Sequence, residues 1–463
     1  MDNIKIFRSK KGGKWLEELP SVPFTDDADN RETNLIVIYD DITYQTIHGF
    51  GGALTEASAM VWSDMTAENR KKLMEYIFSE KGLNYNCVRN SIGACDFSRG
   101  QYSYCDEKDE TLSGFSIAED RKYTLPFIKQ AQTAAGGKLT VMSSPWSPPA
   151  WMKTNGNMLR GGKLKREYYP VWADYFVKYI NACETEGIAV DYVTPQNEPQ
   201  ATQTWESCVY SDEEEKIFVR DFLAPALKAA GLLSVKIAIW DHNKERAFER
   251  ARHIFADEKA RDAVSAIAFH WYSGDHFENL ALCRQMFPEK ELISSESCLG
   301  VNAMSADMAA RAGGAAVKGE NGVSPYEYGE FYAHDIIGGL NAGTNRYLDW
   351  NVILDRRGGP NHVGNFCCAP IICDTENQNI LLQPAFYFIS HFSRFITPGS
   401  KRAAFSKFSA ELETTAFITK DGKRVAVIMN SSGKDIPFTF KASGAKKIAD
   451  CTAEAKSIYT FIY

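Results

Sequence analysis

Short apolar runs alternate with longer amphipathic segments along most of the chain after residue 45. Eight of the short runs have the composition and turn boundaries typical of strands. They are TIHGFGG (46–52), NYNCVRNSIGACDF (84–97), KLTVMSSPW (138–146), VDYVTPQNE (190–198), VKIAIWDHN (235–243), AVSAIAFHWY (263–272), ELISSES (291–297) and NRYLDWN (345–351). Eight successive strand-then-helix units predict an α/β fold, a closed parallel (β/α)8 TIM barrel.

The segments between the strands carry residues that start and end helices. Residues 66–82 begin at Thr66 and end in Gly, and residues 166–187 also end in Gly. Residues 212–231 have an acidic first turn and the same Gly ending, as the helix dipole and the left-handed C-terminal turn favour. An open, doubly wound sheet is the alternative, but no G-x-G-x-x-G sequence follows the first strand.

The pattern changes near residue 395, where short alternating strands replace the strand-and-helix pairs. Asp421-Gly422 and Ser432-Gly433 are turn signals between these strands, and the last residues, SIYTFIY, form another. We predict a small β-sandwich here. The strand-like NLIVIYDD (34–41) is expected to pair with it, so that both chain ends build the sandwich. The expected division is 1–44 for the N-terminal part of the sandwich, 45–394 for the barrel and 395–463 for the C-terminal part.

Composition and charge exclude several classes of protein. The hydrophobic fraction of 44% is sufficient for a full core, and neither low-complexity nor collagen-like sequence occurs. The net charge of −7 is spread along the chain without a long basic run, so no nucleic-acid partner is expected. No run approaches the roughly 20 apolar residues that span a bilayer, so no stable membrane insertion is expected. The oligomeric state is left open.

The cysteines and the N-terminus favour a reducing compartment. Eleven cysteines show no spacing typical of a disulfide framework. The first residues lack the apolar core of a secretory signal, so a cytoplasmic location is expected, or a secreted one for a chain that has lost a leader. CCAPIIC (367–373) suggests a thiolate metal site, but it lacks paired C-x-x-C spacing and no H-E-x-x-H occurs. Inert thiols are the preferred interpretation, and no metal is expected.

Acids, amides and aromatic residues stand at the ends of the predicted strands, where barrel enzymes carry their chemistry. In chain order they are Glu56, Asp96, Trp146, Asn197, Glu198, Asp241, His242, His270, Trp271, Tyr272, Glu296, Trp350 and Asn351. Aromatic faces stack on the C–H surfaces of pyranose rings, and carboxylates and amides hydrogen-bond sugar hydroxyls. The pattern therefore indicates a sugar-binding site.

Structural interpretations remain open for the same residues. Either glutamate can be a solvated loop acid at the barrel rim, and Trp146 can plug a proline-rich loop. His270 can be a core histidine with both nitrogens bonded. For Asp241, the helix N-cap is the preferred prediction over a role in ligand binding.

Glu198 and Glu296 follow the fourth and seventh strands and are expected to face each other across the barrel. If their carboxyl groups stand about 5–5.5 Å apart, glycoside hydrolysis proceeds by double displacement with retention. One carboxyl group must then be protonated and the other ionised. A shared site supplies that difference, because the charge of one carboxylate raises the pKa of the other.

Seven motifs, in order, resemble glycoside hydrolase family 30, in its glucosylceramidase-like branch. They are ACDFS (94–98), SPWSPPAWMKTNG (144–156), TPQNEPQ (194–200), FHWY (269–272), SSESC (294–298), LDWN (348–351) and GGPNHVGNF (358–366). The resemblance runs from HGFGGALTEA at residue 48 to about residue 400. N-E-P alone is shared by many barrel glycosidases, whereas the ordered set is specific.

The resemblance implies a retaining mechanism with Glu198 as acid/base and Glu296 as nucleophile. It implies that the remaining site residues bind or support the terminal sugar. Asp96 and Trp146 would hold the far hydroxyls, Asn197 the 2-hydroxyl, and His270, Tyr272, Trp350 and Asn365 would line the pocket above Arg89. In this scheme Tyr272 orients Glu296, and neither a cofactor nor a metal is needed.

The implied activity is that of an exo-β-glycosidase acting on a terminal β-D-glucosyl residue of a small carbohydrate or glycoside, with xylosyl and fucosyl substrates as rivals. A β-1,6-glucanase or β-xylosidase is the alternative within the family. A non-catalytic sugar-binding barrel is the alternative from another class, although such a protein would typically lack one catalytic carboxyl group. The chain is shorter than the mammalian lysosomal members and shows no leader, which favours a soluble β-glucoside or β-xyloside over a ceramide substrate.

Overall fold

Two modules, a barrel and a β-sandwich, make up the computed structural model, which describes residues 3–137, 139–300 and 324–463. Four strands precede the barrel. They are β1 Asn3–Lys10, β2 Glu17–Pro23, β3 Thr25–Asp26 and β4 Leu35–Thr46.

Eight strands close the barrel, and each lies within one of the eight predicted runs or overlaps it. They are β5 Gly49–Ala53, β6 Cys87–Ile92, β7 Thr140–Pro145, β8 Tyr192–Val193, β9 Lys236–Asn243, β10 Val264–His270, β11 Glu291–Glu296 and β12 Arg346–Asp349. All eight neighbouring pairs are parallel, including β12 with β5, which completes the ring. The predicted (β/α)8 barrel is confirmed.

Small and apolar residues fill the inside of the barrel. Its buried side chains are Cys87, Met142, Tyr192, Ala238, Ala266, Ala268, Ile293 and Leu348. Gly51 is required by a close approach, because a Cβ atom there would stand 1.9 Å from the carbonyl oxygen of Cys87. The barrel is thus a packed core rather than a pore, and the chemistry is left to its open end.

A three-stranded sheet follows the barrel strands. It consists of β13 Ile353–Asp355, β14 Ile371–Asp374 and β15 Asn379–Leu382. β13 pairs parallel with β14, and β15 pairs antiparallel with β14. The connection between β13 and β14 contains Asn365 and Cys367, so this small sheet anchors a loop that reaches the barrel mouth.

The remaining strands belong to the sandwich. They are β16 Lys401–Lys407, β17 Leu412–Ile418, β18 Arg424–Asn430, β19 Ile436–Ala442, β20 Lys447–Ala453 and β21 Ser457–Ile462. The hydrogen-bonded order is β2-β1-β21-β18-β17-β16-β4-β19-β20-β3. β4 pairs with β16 and β19, which confirms the prediction for residues 34–41.

The sheet folds over to enclose its own core. Phe438 of β19 stacks on Phe461 of β21 with ring centroids 6.2 Å apart, although these strands are not neighbours in the sheet. Both chain ends contribute to this core, since Ile4 and Ile6 are buried in it together with Phe461.

Helices cover the outside of the barrel. They are α1 Glu56–Ser63, α2 Ala67–Phe78, α3 Thr124–Ala134, α4 Tyr169–Thr185, α5 Asp212–Phe218, α6 Ala224–Ala229, α7 Ala247–Phe255, α8 Glu258–Ala263, α9 Phe277–Met286, α10 Pro325–Ala342 and α11 Pro384–Ser393. The side chain of Thr66 caps α2, and α5 and α6 are joined by a π-helical turn at Val219–Leu223. None of the described helices combines the length and apolar character needed to cross a bilayer.

His391 of α11 links the barrel to the sandwich. Its Nδ1 lies 2.8 Å from Oγ1 of Thr460 in β21, and its Nε2 lies 2.9 Å from Oγ of Ser9 in β1. The ring is completely buried. Burial lowers the pKa of His391 to about 3, so the ring is neutral at this interface.

Candidate active site

The barrel mouth brings the predicted site residues together. His270 and Glu296 are the last residues of β10 and β11, and Trp146 and Trp350 directly follow β7 and β12. Glu198 comes from the loop after β8. Asn365 enters from the connection between β13 and β14, and Arg89 rises from the middle of β6. The carboxyl ends of the parallel strands thus supply the floor of the site, and the loops supply its rim.

The two glutamates stand close enough to act on one bond. Carboxylate oxygens of Glu198 and Glu296, together with a ring nitrogen of His270, lie within 4.8 Å of one another. The side chain of Glu198 is 15% exposed and that of Glu296 is 9% exposed. Both carboxyl groups are therefore sheltered but reachable from the barrel mouth.

Each oxygen of Glu296 has its own donor. The hydroxyl group of Tyr272 donates to Oε1 over 2.9 Å, and Nη1 of Arg89 donates to Oε2. The guanidinium group is fully buried, so its charge acts on the carboxylate with little screening by water. The two donors hold the Glu296 carboxylate in one orientation.

Arg89 is the centre of the site. Its Nη2 donates over 2.8 Å both to Oδ1 of Asn197 and to Oδ2 of Asp241. Its guanidinium carbon lies 5.0 Å from the ring centroid of Trp146 and 5.6 Å from that of Trp350. The arginine beneath the site thus orients the Asn197 amide as well as the Glu296 carboxylate.

Asp241 is not a helix N-cap, and the prediction for this residue was wrong. Ala268 pairs with Trp240 while Phe269 pairs with His242, so Asp241 is an extra residue in β9. Trp240 and Asp241 have φ values of 76° and 50°, the backbone signature of a strained bulge. Asn243 instead precedes the short 3₁₀ helix Lys244–Arg246.

The bulge turns the Asp241 carboxylate into the barrel, where it is completely buried and fully bonded. It accepts hydrogen bonds from Arg89 and from the hydroxyl groups of Ser144, Thr194 and Ser295, over distances of 2.6–2.8 Å. Burial favours the neutral acid, but Arg89 and these donors outweigh it and hold the pKa of Asp241 well below its usual range. Asp241 is a permanent negative charge beneath the site.

His270 bridges two carboxylates. Its Nε2 lies 3.1 Å from Oδ1 of Asp241, and its Nδ1 lies 3.3 Å from Oε1 of Glu198. Burial disfavours the charged ring, but Glu296, Asp241 and Glu198 together raise the pKa of His270 to about 9. At neutral pH the ring carries a positive charge. It is bonded like a core histidine but stands beside the carboxylates of Glu198 and Glu296.

The pKa of Glu198 shifts opposite to the direction that carboxylate repulsion alone predicts. Burial raises it, but the hydrogen bond from His270 and the nearby His242 outweigh burial and hold the pKa of Glu198 below its usual value. Nε2 of His242 lies 3.9 Å from Oε1 of Glu198. In the free protein the proton is therefore on His270 rather than on Glu198.

A polar and aromatic wall closes the far side of the site. Nδ2 of Asn365 donates to Oδ2 of Asp96 over 2.8 Å, and Asp96 is almost completely buried. Burial raises the pKa of Asp96 to about 7, against the effect of Asn365. The rings of Trp146 and Trp350 stack with centroids 5.3 Å apart. Trp146 therefore packs inside the site and does not merely plug a loop.

Several residues at the site were not predicted from the sequence. Trp205 packs against the aromatic cluster that contains Trp146 and Trp350. Gln203 donates weakly to Oε2 of Glu198 over 3.5 Å. Both lie in the loop after β8, and their proximity follows from how that loop folds back, which no local spacing reveals.

In the described part of the chain, one group of three side chains has potential metal-ligand atoms close enough to share an ion. It consists of Glu198, His270 and Glu296. None of the cysteines of CCAPIIC belongs to this group. Both nitrogens of His270 already face carboxylates, and Arg89 occupies one side of Glu296. The arrangement therefore works as a hydrogen-bonded ion network.

Similarity to known sequences covers both the barrel and the sandwich. The profile of the Glycosyl hydrolase family 30 TIM-barrel domain matches residues 47–396, and that of the Glycosyl hydrolase family 30 beta sandwich domain matches residues 399–461. The chain is 32% identical to the lysosomal acid glucosylceramidase of Mus musculus over 443 residues, which cover 93% of this chain and 83% of that protein. It is 28% identical to an endo-1,6-β-D-glucanase of Trichoderma harzianum over 429 residues, covering 87% and 81%.

Solved structures are also similar to this chain over nearly its whole length. The chain superposes on SrfJ from Salmonella typhimurium with a TM-score of 0.92 and 33% identity, covering 100% of this chain and 99% of the other. It superposes on an endo-β1,6-glucanase with a TM-score of 0.85 and 28% identity, covering 99% of each chain.

Proposed function

The chain belongs to glycosyl hydrolase family 30, and we propose that this glycoside hydrolase is a retaining exo-β-glycosidase that removes terminal β-D-glucosyl residues. One observation carries the proposal: carboxylate oxygens of Glu198 and Glu296 approach within 4.8 Å. Retaining glycosidases separate their carboxyl groups by about 5–5.5 Å, whereas inverting enzymes need about 6.5–9.5 Å to admit a water molecule. The short distance supports double displacement.

Glu296 acts as the nucleophile in this proposal. Tyr272 and Arg89 fix its two oxygens, so little reorientation is needed before attack on the anomeric carbon. The attack forms a bond between one Glu296 oxygen and the sugar, and the glycosidic bond breaks. The resulting ester has no charge, so the Asp241 carboxylate then balances the charge of Arg89 without Glu296.

Glu198 delivers the proton to the leaving oxygen, and His270 supplies it. The Nδ1–H group of the charged His270 ring lies 3.3 Å from Oε1 of Glu198, so the two side chains share one proton at neutral pH. The leaving oxygen gains this proton as the glycosidic bond breaks. In the second step the ionised Glu198 takes a proton from water, and the hydroxide oxygen displaces Glu296 from the sugar.

The surrounding residues hold the terminal sugar. Asn197, whose amide oxygen is fixed by Arg89, keeps its amide N–H groups for the 2-hydroxyl, where a hydrogen bond strengthens in the transition state. The Asp96–Asn365 pair provides donors and acceptors for the far hydroxyls. Trp146 and Trp350 contribute apolar faces for the ring. The buried far wall favours cleavage of a terminal sugar.

An endo-β-1,6-glucanase is the second candidate. The superposition on a solved endo-β1,6-glucanase at a TM-score of 0.85 supports it. The two candidates differ in whether the site accepts a sugar beyond the terminal one. Cleavage of a β-1,6-linked glucan to internal oligosaccharides, rather than to glucose alone, would favour the second.

A panel of nitrophenyl β-glycosides tests the proposal. β-Glucoside, β-xyloside, β-fucoside and β-galactoside are incubated with wild type, with Glu296→Gln and with Glu289→Gln, a matched substitution at a half-exposed glutamate before β11. We expect release of nitrophenol from the β-glucoside by wild type and Glu289→Gln only. A folded wild type that releases nothing from any of the four, or a Glu296→Gln variant as active as wild type, would overturn it.

A further inference from the structure

Two cysteines face each other at the rim of the barrel. Cys298 follows β11, and Cys367 lies in the connection between β13 and β14. Their Sγ atoms are 3.4 Å apart, and both side chains are buried. A disulfide bond has an S–S length of about 2.0 Å, so an oxidant could join the two sulfur atoms after only a modest approach.

The backbone holds the two segments in this position. Gly300 and Cys367 form an antiparallel bridge, and the N–H group of Cys368 donates to the carbonyl oxygen of Leu299 over 2.7 Å. The proximity of the thiols therefore follows from paired main chains and not from one side-chain rotamer.

Each cysteine lies two residues from a group at the site. Sγ of Cys298 is 3.5 Å from the hydroxyl group of Tyr272, which donates to Glu296 over 2.9 Å. Cys367 follows Asn365, which donates to Asp96 over 2.8 Å. A bond between the thiols would couple the loop behind the nucleophile to the loop that holds the far wall.

We propose that Cys298 and Cys367 are a modification site at which oxidation forms a disulfide bond that reversibly inactivates the enzyme. The loss of activity rests on the proposed function, whereas the bond itself does not. Closing the sulfur gap moves Cys298 relative to Tyr272 and removes the thiol that contacts its hydroxyl group. Tyr272 then no longer holds Glu296 in line for attack.

Hydrogen peroxide is a sufficient oxidant for this step. One thiol sulfur attacks the peroxide, the O–O bond breaks, and a sulfenic acid and one water molecule form. The second thiol displaces the sulfenic oxygen as a second water molecule, and the S–S bond forms. The two sulfur atoms lose two electrons in total, the peroxide oxygens gain them, and both thiol protons end in water.

We expect oxidation of the two cysteines by peroxide to be slow. The hydrogen bond with Cys367 and burial raise the pKa of Cys298, so little thiolate is present at neutral pH. Modification is therefore expected only under sustained exposure, and reduction by dithiothreitol should reverse it.

Mass spectrometry of the intact chain and of unreduced peptides tests the bond without reference to activity. Wild type, Cys367→Ser and the neighbouring control Cys368→Ser are exposed to hydrogen peroxide and then split into two portions. In the first portion we expect wild type and Cys368→Ser to lose two hydrogen atoms and to yield a peptide pair linked through Cys298 and Cys367. Cys367→Ser should yield no such pair.

Turnover of an aryl β-glucoside is measured on the second portion, relative to each variant's own reduced activity. We expect at least a tenfold loss for wild type and Cys368→Ser, restored by dithiothreitol, and no comparable loss for Cys367→Ser. Absence of the linked peptide in wild type, or formation of the link without loss of turnover, would overturn the inference. Reduced protein that is inactive yet still forms the link would refute the proposed function alone.

Discussion

The hydroxyl group of Tyr272 lies 2.9 Å from Oε1 of Glu296, and Arg89 holds the other oxygen of the same carboxylate. The aromatic ring comes from just beyond β10 and the carboxylate from the end of β11, so neighbouring strands deliver the two groups to one point. This relationship fixes the orientation of Glu296, the proposed nucleophile, before substrate arrives.

Tyr272→Phe tests that orientation. A hydrogen bond to a charged group contributes about 1.5–3 kcal/mol, so we expect kcat to fall by roughly 10- to 100-fold. KM should change little, because Tyr272 acts on the carboxylate. Tyr39→Phe, which removes a sandwich hydroxyl bonded to Ser406, is the control and should retain full activity. An unchanged kcat for Tyr272→Phe would contradict the positioning role.

Glu198→Gln separates the acid role from the base role. Alkyl β-glucosides need a proton on their leaving oxygen, so we expect a loss of about 10²–10⁴-fold in kcat/KM. With aryl β-glucosides, whose leaving groups are acidic, the variant should keep much of the rate of the first step. Addition of azide should then restore turnover, since this anion attacks the sugar without a base. Equal loss on alkyl and aryl substrates would contradict the assignment.

His270 sets the alkaline limit of activity in this account. The raised pKa of His270, about 9, means that the proton shared with Glu198 is lost as pH rises through about 9. We expect kcat/KM for an alkyl β-glucoside to fall above that pH. In His270→Asn the buried Glu198 holds the proton alone, and the alkaline limit should move to lower pH.

His253→Asn provides the matched control for that measurement, because His253 faces Asp212 and Glu213 on the surface, away from the site. Its pH profile should coincide with that of wild type. An alkaline limit that stays near pH 9 in His270→Asn would contradict the shared proton.

His391 makes the fold sensitive to acid. Its folded pKa is lowered to about 3, whereas an unfolded histidine binds a proton below about pH 6.5. The neutral, buried ring therefore makes its full contribution to stability above pH 6.5. This contribution is lost as the pH falls from 6.5 toward 3. At pH 4 this costs on the order of 3 kcal/mol of unfolding free energy. Urea unfolding of wild type should show this loss, and His391→Asn, although less stable at pH 7, should show a flatter acid dependence. Parallel pH curves for the two proteins would argue against this interface role.

The barrel strands could be predicted because each is buried on both faces and reads as a short apolar run between helix boundaries. The pairing of residues 34–41 with the sandwich could also be predicted, since an isolated strand before the barrel requires a partner sheet. The predicted ends of the helices were less accurate than the predicted strands. α2 ends at Phe78, before Gly82, because Ser79 already adopts an extended backbone.

Asp241 marks the limit of inference from the sequence. Asp before a short polar stretch resembles an N-cap, and only the extra residue in β9 turns its carboxylate inward. The direction of the Glu198 pKa was missed for a related reason. It depends on His242 and His270, which approach Glu198 from two other strands. Such relationships depend on barrel closure and bulge position, and neither is encoded in local spacing.

The covalent intermediate on Glu296 tests the central claim most directly. A 2-deoxy-2-fluoro-β-D-glucosyl fluoride should react once and stall, because the fluorine destabilises the positively charged transition state and removes the 2-hydroxyl bond. Mass spectrometry of the digested protein should then find one fluoroglucosyl group on the peptide that contains Glu296. A label on Glu198 or another residue, or no label on an enzyme that turns over β-glucosides, would contradict the account.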